Sequence, residues 1–416
     1  RQVIALNYDG QSAPTLTAKG DDELAETILA IARHHEVPIY ENGELVRLLV
    51  KAGHTVDVVM TEAATRFVGP TTFQALSGRP VFLSQWDERP SNAMAHIELT
   101  RRADAFLIAP ATADMLAKLA HGLCDDLVST LAAARTCPLI VAPAMNKQMW
   151  DNPPNQRNVT RLQADGVTVF GPGSGVQACG ETGDGRMLEP EDLFDLLQGF
   201  FAGKLLAGRR VLLTAGPTFE AIDPVRGLTN ISSGKMGYAL ARACRDAGAE
   251  VTLVSGPTAL RTPYGMQCLN VRSARDMLAT VEAHVAMADV FISVAAVADY
   301  RPQVTSEHKL KKTEGGLPSI ALTENPDILA TVAARSDAPF CVGFAAESRD
   351  VLGYADEKRR RKNVPLLVAN LAQSAMGADD NEVVLLDDSG QHPLPRMGKP
   401  DVARAIVSHL ARLLRS

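Results

Sequence analysis

The sequence predicts an α/β chain of two doubly wound, Rossmann-like parallel-sheet domains preceded by a small α/β segment. Three observations carry this expectation. The chain has 416 residues, which at roughly 150 residues per domain gives two or three folded units. Short β-branched runs alternate with stretches of helical periodicity, the rhythm of βαβ units around a parallel sheet. The rhythm occurs twice, and the two series are separated by Gly199 to Gly208 (GFFAGKLLAG), which has three glycines and no period long enough for a full element.

Residues 1–43 stand apart from both series. Val3 to Asn7 reads as a strand. Asp21 to His35 reads as a helix, with Asp22 and Glu23 in its first turn and Arg33, His34 and His35 in its last, charges that complement the helix dipole. Val37 to Tyr40 reads as a second strand leading into Glu44 to Val50. In the first series, at 44–198, strands are expected at Thr55 to Met60, Ala105 to Ala109, Pro138 to Ala142 and Val167 to Phe170, with helices at Thr112 to Ala120 and Asn155 to Asp165. In the second, at 208–416, strands are expected at Arg210 to Ala215, Glu250 to Ser255, Val290 to Ala295, Phe340 to Phe344, Leu366 to Ala369 and Glu382 to Leu386. Helices are expected there at Lys235 to Ala247, Ser273 to Met287, Pro326 to Arg335 and Val351 to Arg361.

Composition narrows the function classes. Apolar residues make up 46% and charged residues 22%, which excludes a disordered chain. A net charge of −6 argues against a protein that coats nucleic acid or anionic lipid. No window reaches the ~18 uncharged apolar residues that span a bilayer; even Ala105 to Ala120 carries Asp114 and Lys118. The six cysteines are scattered without Cys-x-x-Cys, and no charged leader precedes an apolar core, so a reducing cytoplasm is the expected compartment. The start at Arg1 reads as a fragment or a processed end.

In the first series, Ala109-Pro110-Ala111-Thr112 falls where a strand ends and a helix begins, the edge at which open α/β sheets bind ligands and helix N–H groups suit a phosphate. A plain helix cap is the alternative there. Pro143-Ala144-Met145-Asn146 follows the next strand, and the Asn amide can hold a carboxylate or serve as a turn residue. Gly171 to Gly180, continuing to Gly183 and Gly185, is too glycine-rich for a helix or central strand and reads as a flap carrying Cys179. His96, alone, reads either as a proton shuttle or as a structural histidine.

Together, His96, PAMN at 143–146 and ACG at 178–180 resemble the flavin-dependent cysteine decarboxylases, specifically the phosphopantothenoylcysteine decarboxylase family, from about Glu44 to Glu189. The resemblance implies that His96 is the active-site histidine, that Asn146 contacts the substrate carboxylate, and that Cys179 donates a proton. Thr61, Phe67, Pro110, Ala111 and Thr112 fall at its FMN positions. Losing CO₂ from a cysteine amide leaves an unstabilised carbanion, so an electron sink is needed, and flavin provides one by oxidising the thiol.

In the second series, Gly216-Pro217-Thr218 ends the first strand and Asn230-Ile231-Ser232-Ser233-Gly234-Lys235-Met236-Gly237 opens a helix, an arrangement that suits an anion without matching a Walker A loop. Lys309, Lys311 and Lys312 follow a strand, and Lys358 and Lys362 share a helix face; each set also reads as solvated charge. With AAVADY at 295–300, NPDIL at 325–329, GFAAE at 343–347 and KRRRKN at 358–363, the set resembles the phosphopantothenate–cysteine ligase family from about Gly208 onward. The order of the halves is that of the bifunctional bacterial enzymes of coenzyme A synthesis. The resemblance implies that CTP activates 4'-phosphopantothenate as an acyl-cytidylate, from which the cysteine amine displaces CMP. Asn230 and Lys309 then serve that chemistry. Ser293, Val294, Ala295, Asp299, Lys309, Pro326, Asp327, Ile328, Leu329, Phe344, Lys358 and Lys362 fall at CTP positions. Mg²⁺ completes the neutralisation of the triphosphate, and a homo-oligomer acting on small molecules is expected.

The chain departs from the decarboxylase pattern at its start. The family's first strand and glycine-rich phosphate turn are missing, and Val3 to Asn42 resembles instead the cytoplasmic part of the flagellar export-switch protein. Two readings stay open here: a bifunctional enzyme, or a ligase whose first domain is an FMN-deficient scaffold or interaction module.

Overall fold

A computed structural model of the chain describes residues 2–7, 15–21, 43–86, 95–177, 180–310, 319–347, 351–371 and 379–415. It divides into two compact units, Arg1–Leu196 and Leu197–Ser416.

The first unit opens with β1 (Gln2–Asn7) and β2 (Thr15–Asp21), an antiparallel pair that joins no other strand among the described residues. The strand expected at Val3 to Asn7 is therefore present but does not extend the domain's sheet. Asp21 ends a strand; the rest of the helix expected there, with Val37 to Tyr40, lies outside the described residues. Then come α1 (Glu44–Lys51), α2 (Glu62–Thr65), α3 (Pro70–Ser77) and α4 (Ala95–Arg101). Pro70 occupies the first turn of α3, where its missing N–H costs nothing, and Gly78 closes the helix at φ +66°. Thr55 to Met60 forms no strand. Among the described residues only Val59 and Phe82 bridge, through Met60 N–H to Phe82 O and Phe82 N–H to Val58 O, both 3.0 Å. A β-branched run needs an extended partner to build a ladder, and among the described residues a single one supplies it.

The sheet of this unit is β3 (Phe106–Ala111), β4 (Leu139–Pro143) and β5 (Thr168–Val169), parallel and in that order. Its crossovers are α5 (Ala113–His121) with α6 (Leu127–Ala134), then α7 (Lys147–Asp151) with α8 (Pro153–Ala164). β4 is buried throughout and reads as an unbroken apolar run, as a central parallel strand should. Ile108, Leu139 and Val141 meet Leu116, Val128 and Leu162 in one core. The glycine-rich segment forms an antiparallel pair, β6 (Gly173–Val176) and β7 (Thr182–Arg186), and α9 (Pro190–Phe200) follows.

The second unit contains β8 (Arg210–Ala215), β9 (Phe219–Ala221), β10 (Gly227–Thr229), α10 (Lys235–Asp246), β11 (Glu250–Ser255), β12 (Gln267–Asn270), α11 (Ala274–Val285) and β13 (Val290–Ser293). It continues with β14 (Tyr300–Pro302), β15 (Leu322–Glu324), α12 (Ile328–Ala333), β16 (Phe340–Glu347), α13 (Val351–Arg361), β17 (Leu366–Leu371), β18 (Asp380–Asp387), β19 (Gly390–Gly398) and α14 (Lys399–Leu413). The main sheet runs β12-β11-β8-β13-β16-β17-β18-β19, parallel through β17 and antiparallel beyond.

Alternate strand residues face opposite layers. Val211, Leu213 and Ile292 pack with α10 and α14, whereas Leu212, Phe291 and Cys341 pack with α11 and α12. This is the doubly wound architecture. β12 and β19 had no counterpart in the sequence expectations. β12 is a short, half-exposed edge, and β19 contains Pro393 and Pro395, which speak against a central strand but are tolerated at an edge.

Candidate functional site

In the first unit, Thr112 follows β3 and caps α5, its Oγ1 accepting the Met115 N–H at 3.2 Å. Thr61 caps α2 in the same way through the Ala64 N–H, also 3.2 Å. A hydroxyl that accepts a cap bond still has its own proton to donate, so both threonines fit a phosphate or ribityl oxygen. Phe67 is 75% exposed, an open aromatic face of the kind a flavin ring could cover. Pro110 is exposed, and Ala111 is buried with its carbonyl accepting the Ala144 N–H at 3.1 Å, so β3 is tied to the PAMN turn. Two hydroxyl protons at helix starts and an open ring face are the chemistry that a flavin's phosphate, ribityl chain and ring require.

Asn146 caps α7, its Oδ1 accepting the Met149 N–H at 3.2 Å. Its Nδ2 donates to Glu181 Oε2 at 2.7 Å, and Gln148 Nε2 donates to Glu181 Oε1 at 2.6 Å. The two amides thus already hold a carboxylate, and one brought to Asn146 Nδ2 by a ligand has to take the place of Glu181. The β6–β7 pair is fastened over this turn by Met145 N–H to Gly185 O (2.9 Å) and Lys147 N–H to Gln177 Oε1 (2.9 Å), and within the pair Gln177 Nε2 donates to Asp184 O (3.0 Å). A Cβ on Gly185 would stand 2.4 Å from the Met145 carbonyl, so only glycine permits that approach. Gln177 and Glu181 are contributors that motif reading missed; a polar residue on either side of Ala-Cys-Gly was the available signal. Cys179 and the His96 side chain lie outside the described residues, although His96 is on α4.

In the second unit the chain starts the sheet at β8, lays β11 and β12 to one side, and crosses to β13 and β16 on the other. Ligands bind beyond the carboxyl ends of the strands at such a switch point. There Pro217 bridges Ala296, the Ala296 N–H donates to Gly216 O (2.9 Å), and Asn230 Nδ2 donates to Ala296 O (2.9 Å). Gly237 lets α10 rest on the end of β8, since a Cβ there would stand 2.5 Å from that of Ala215. Ser293 ends β13, and Val294 and Ala295 continue from it, the Ala295 N–H donating to Thr214 Oγ1 at 3.4 Å.

Asp299 is exposed, and its carbonyl accepts the Asn325 N–H at 2.8 Å. Asn325 Nδ2 in turn donates to Ala298 O at 2.8 Å, which joins the exit of β13 to the turn at Pro326. Asp327 caps α12 through the Ala330 N–H (3.0 Å) and pairs with Lys362 Nζ at 2.5 Å. Burial pushes the Asp327 carboxyl up, but its bonds to Lys362 and the Ala330 N–H and the charges of Lys362 and Lys358 outweigh that and hold it below its usual value. Ile328 and Leu329 are buried in the core beside α11, so only their backbone can meet a ligand; Phe344 is half-buried on β16.

Lys309 is exposed, and its neighbour fixes it: the Leu310 N–H donates to Asp223 Oδ2 at 3.1 Å, and Arg226 donates to Leu310 O at 2.8 Å. Asp223 lies in the β9–β10 turn, where it also accepts the Val225 and Arg226 N–H groups (2.9 and 2.8 Å). The Arg226 guanidinium, ahead of the backbone bonds, holds its carboxyl far below the usual range. Lys311 and Lys312 lie outside the described residues. Asp223 was not among the residues the sequence pointed to, although Asp-Pro-Val-Arg is a recognisable turn.

The fold and these two regions define an α/β enzyme of two units, a flavoprotein-type half followed by a half whose parallel sheet reverses strand order at a switch point. The Flavoprotein family model matches residues 28–202, and the DNA/pantothenate metabolism flavoprotein C-terminal domain matches 206–414. The first match begins upstream of residue 44. The chain is 48% identical to the coenzyme A biosynthesis bifunctional protein CoaBC of Vibrio cholerae over 89% of this chain and 94% of that protein. It is 45% identical to that of Escherichia coli (90% and 94%) and 42% to that of Bacillus subtilis (91% and 95%). Solved structures with likeness include the C-terminal domain of a CoaBC protein (43% identity, 51% of this chain and 99% of that chain, TM-score 0.45). Another is a PPC decarboxylase variant complexed with pantothenoylaminoethenethiol (33%, 38% and 89%, TM-score 0.34). The chain belongs to the coenzyme A biosynthesis bifunctional protein family and is a bifunctional enzyme of that synthesis.

Proposed function

We propose that the second unit joins 4'-phosphopantothenate to cysteine at the expense of CTP and that the first unit decarboxylates the product to 4'-phosphopantetheine. Family membership across both halves supports the pair of activities. The observation that carries the residue assignment is the Asn146 amide, which already holds a carboxylate beneath the β6–β7 pair. In this reading Asn146 orients the substrate carboxylate, and His96 and Cys179 handle protons, with Cys179 delivering one to carbon. FMN, when bound through Thr61, Phe67, Pro110, Ala111 and Thr112, supplies the two-electron oxidation and return that decarboxylation of an unactivated carbon requires. In the second unit Asn230 binds the acyl phosphate, Lys309 offsets its charge, Asp299 reads the cytosine, and Lys358 and Lys362 face the triphosphate. Mg²⁺ is held there chiefly by phosphate oxygens and water, because both Asp327 oxygens are already engaged. A cytoplasmic homo-oligomer suits these roles. Supplying the purified chain with all three substrates and following pyrophosphate and CO₂ tests the pair; pyrophosphate without CO₂ leaves a ligase alone.

The N-terminal pair β1–β2 bears on flavin affinity. We infer that the export-switch-like segment replaces the family's phosphate turn, whose backbone N–H bonds to a charged group are worth about 1.5 to 3 kcal/mol each. That β1, among the described residues, pairs only with β2 supports this reading. Titration followed by flavin fluorescence is expected to give FMN affinity at least about tenfold below that of the Escherichia coli relative measured alongside. Tight stoichiometric binding would show that β3, α2 and α5 suffice.

Positioning of Lys309 gives a further expectation. Asp223→Asn weakens the anchor on the Leu310 N–H without touching Lys309, and should lower ligase kcat/KM about 10- to 100-fold, the cost of a small misplacement. Steady-state kinetics beside a melting curve check this; unchanged kinetics would remove Asp223 from the site.

A further inference from the structure

We propose that the second unit carries a divalent transition-metal site, formed by Asp387, His392 and His409, which neither proposed reaction uses. Asp387 ends β18. The turn through Asp388, Ser389 and Gly390 brings β19 back so that His392 stands opposite Leu385, and His409 comes from the last third of α14. Both imidazoles present Nε2 to the one carboxylate: His409 Nε2 lies 2.7 Å from Oδ2 and His392 Nε2 lies 3.2 Å from Oδ1. One donor atom from each residue falls within 4.8 Å of the other two.

Burial and orientation suit a site rather than a surface pair. The side chains of Asp387 and His409 are 2% and 6% exposed, while that of His392 is 36% exposed and gives an ion its way in. The Ser389 N–H (2.7 Å), Ser389 Oγ (2.6 Å) and Gly390 N–H (3.1 Å) all donate to Oδ1, which fixes the carboxylate plane as outer partners of metal ligands do. Two imidazoles and one carboxylate, with water completing the set, suit Zn²⁺, Co²⁺ or Ni²⁺; Mg²⁺ and Ca²⁺ prefer all-oxygen sets. Ligands about 2.0–2.2 Å from a tetrahedral metal stand roughly 3.3 Å apart. The His392 Nε2 to Oδ1 contact already has that spacing, whereas His409 Nε2 is closer and faces the other oxygen, Oδ2, so its ring has to withdraw for all three groups to share one ion.

Arg412 sets the tautomer. Its Nη2 lies 2.7 Å from His409 Nδ1, and a guanidinium only donates, so Nδ1 accepts and the ring proton sits on Nε2. Binding a metal at Nε2 moves that proton to Nδ1 and displaces Arg412, which is exposed and can turn to solvent. The metal therefore competes with Arg412 for one histidine, and when bound it clips the β18–β19 turn to the C-terminal helix.

The test uses the full chain with Co²⁺ and Zn²⁺. One Co²⁺ per chain is expected, with the visible bands of a four-coordinate ion, and Zn²⁺ should raise the melting temperature. His392→Ala, at the exposed ligand, should lose both effects, whereas Arg412→Ala, with no guanidinium hydrogen bond to break, should bind about tenfold more tightly. No bands and no shift in the unaltered chain, or bands that persist in His392→Ala, overturn the site. Unchanged affinity in Arg412→Ala overturns the part assigned to His409.

Discussion

Lys309→Gln lowers CTP-dependent formation of phosphopantothenoylcysteine by about 10²- to 10³-fold, the usual cost of removing one preorganised charge from a developing anion. The argument rests on where the charge is and how little else it does. Lys309 is exposed, so its loss disturbs no core, and its segment is held by the Leu310 bonds to Asp223 and Arg226, which glutamine leaves intact. Glutamine keeps most of the length and a donor but no charge. The loss should therefore fall on turnover, with the melting temperature unchanged. Wild-type rates of pyrophosphate release in this variant would take Lys309 out of the reaction.

Cys179→Ser should stop the first unit after CO₂ has left, with turnover to 4'-phosphopantetheine down by about 10²- to 10⁴-fold, the range general acid catalysis supplies. A serine hydroxyl is a far weaker acid than a thiol, so the oxidised product of decarboxylation accumulates for want of a proton at carbon. Cys244 and Cys341 offer no substitute: burial pushes the Cys244 thiol up to about 12 and that of Cys341 up to about 11, and both sit in the second unit's core. Single-turnover mass spectrometry, reading CO₂ and the thiol product separately, checks this. Normal product formation would sink the assignment of Cys179.

Legibility in the sequence followed periodicity and composition. β8, β11 and β17 are apolar runs buried by layers on both sides, and the expected spans Arg210 to Ala215 and Glu250 to Ser255 coincide with the observed strands. The helix expected from Ser273 starts at Ala274 with Ser273 as its cap, because Ser273 and Asp276 form a reciprocal capping box. Thr55 to Met60 looked like a strand from its own residues, whereas a ladder depends on a neighbour the run does not encode. At the candidate sites, motifs point to Asn146 and Asn230, but the partners that orient them, Glu181 and the Ala296 carbonyl, are 35 and 66 residues away in sequence. Such couplings are set by the fold and leave no local pattern. Asp223 acts on Lys309 through a neighbour's backbone, which no spacing rule reports.

The prolines that disguise β19 also decide where the sheet stops. An edge strand normally offers a row of N–H and C=O groups to any passing extended chain, the starting point of edge-to-edge aggregation. Pro393 and Pro395 remove two N–H groups from that row, and the Arg396–Asp380 ion pair places charge at the far end of the hairpin. The opposite edge, β12, is only four residues long. A sheet of eight strands is thus closed to further growth at both ends, and replacing either proline with a β-branched residue would reopen the longer edge as a template.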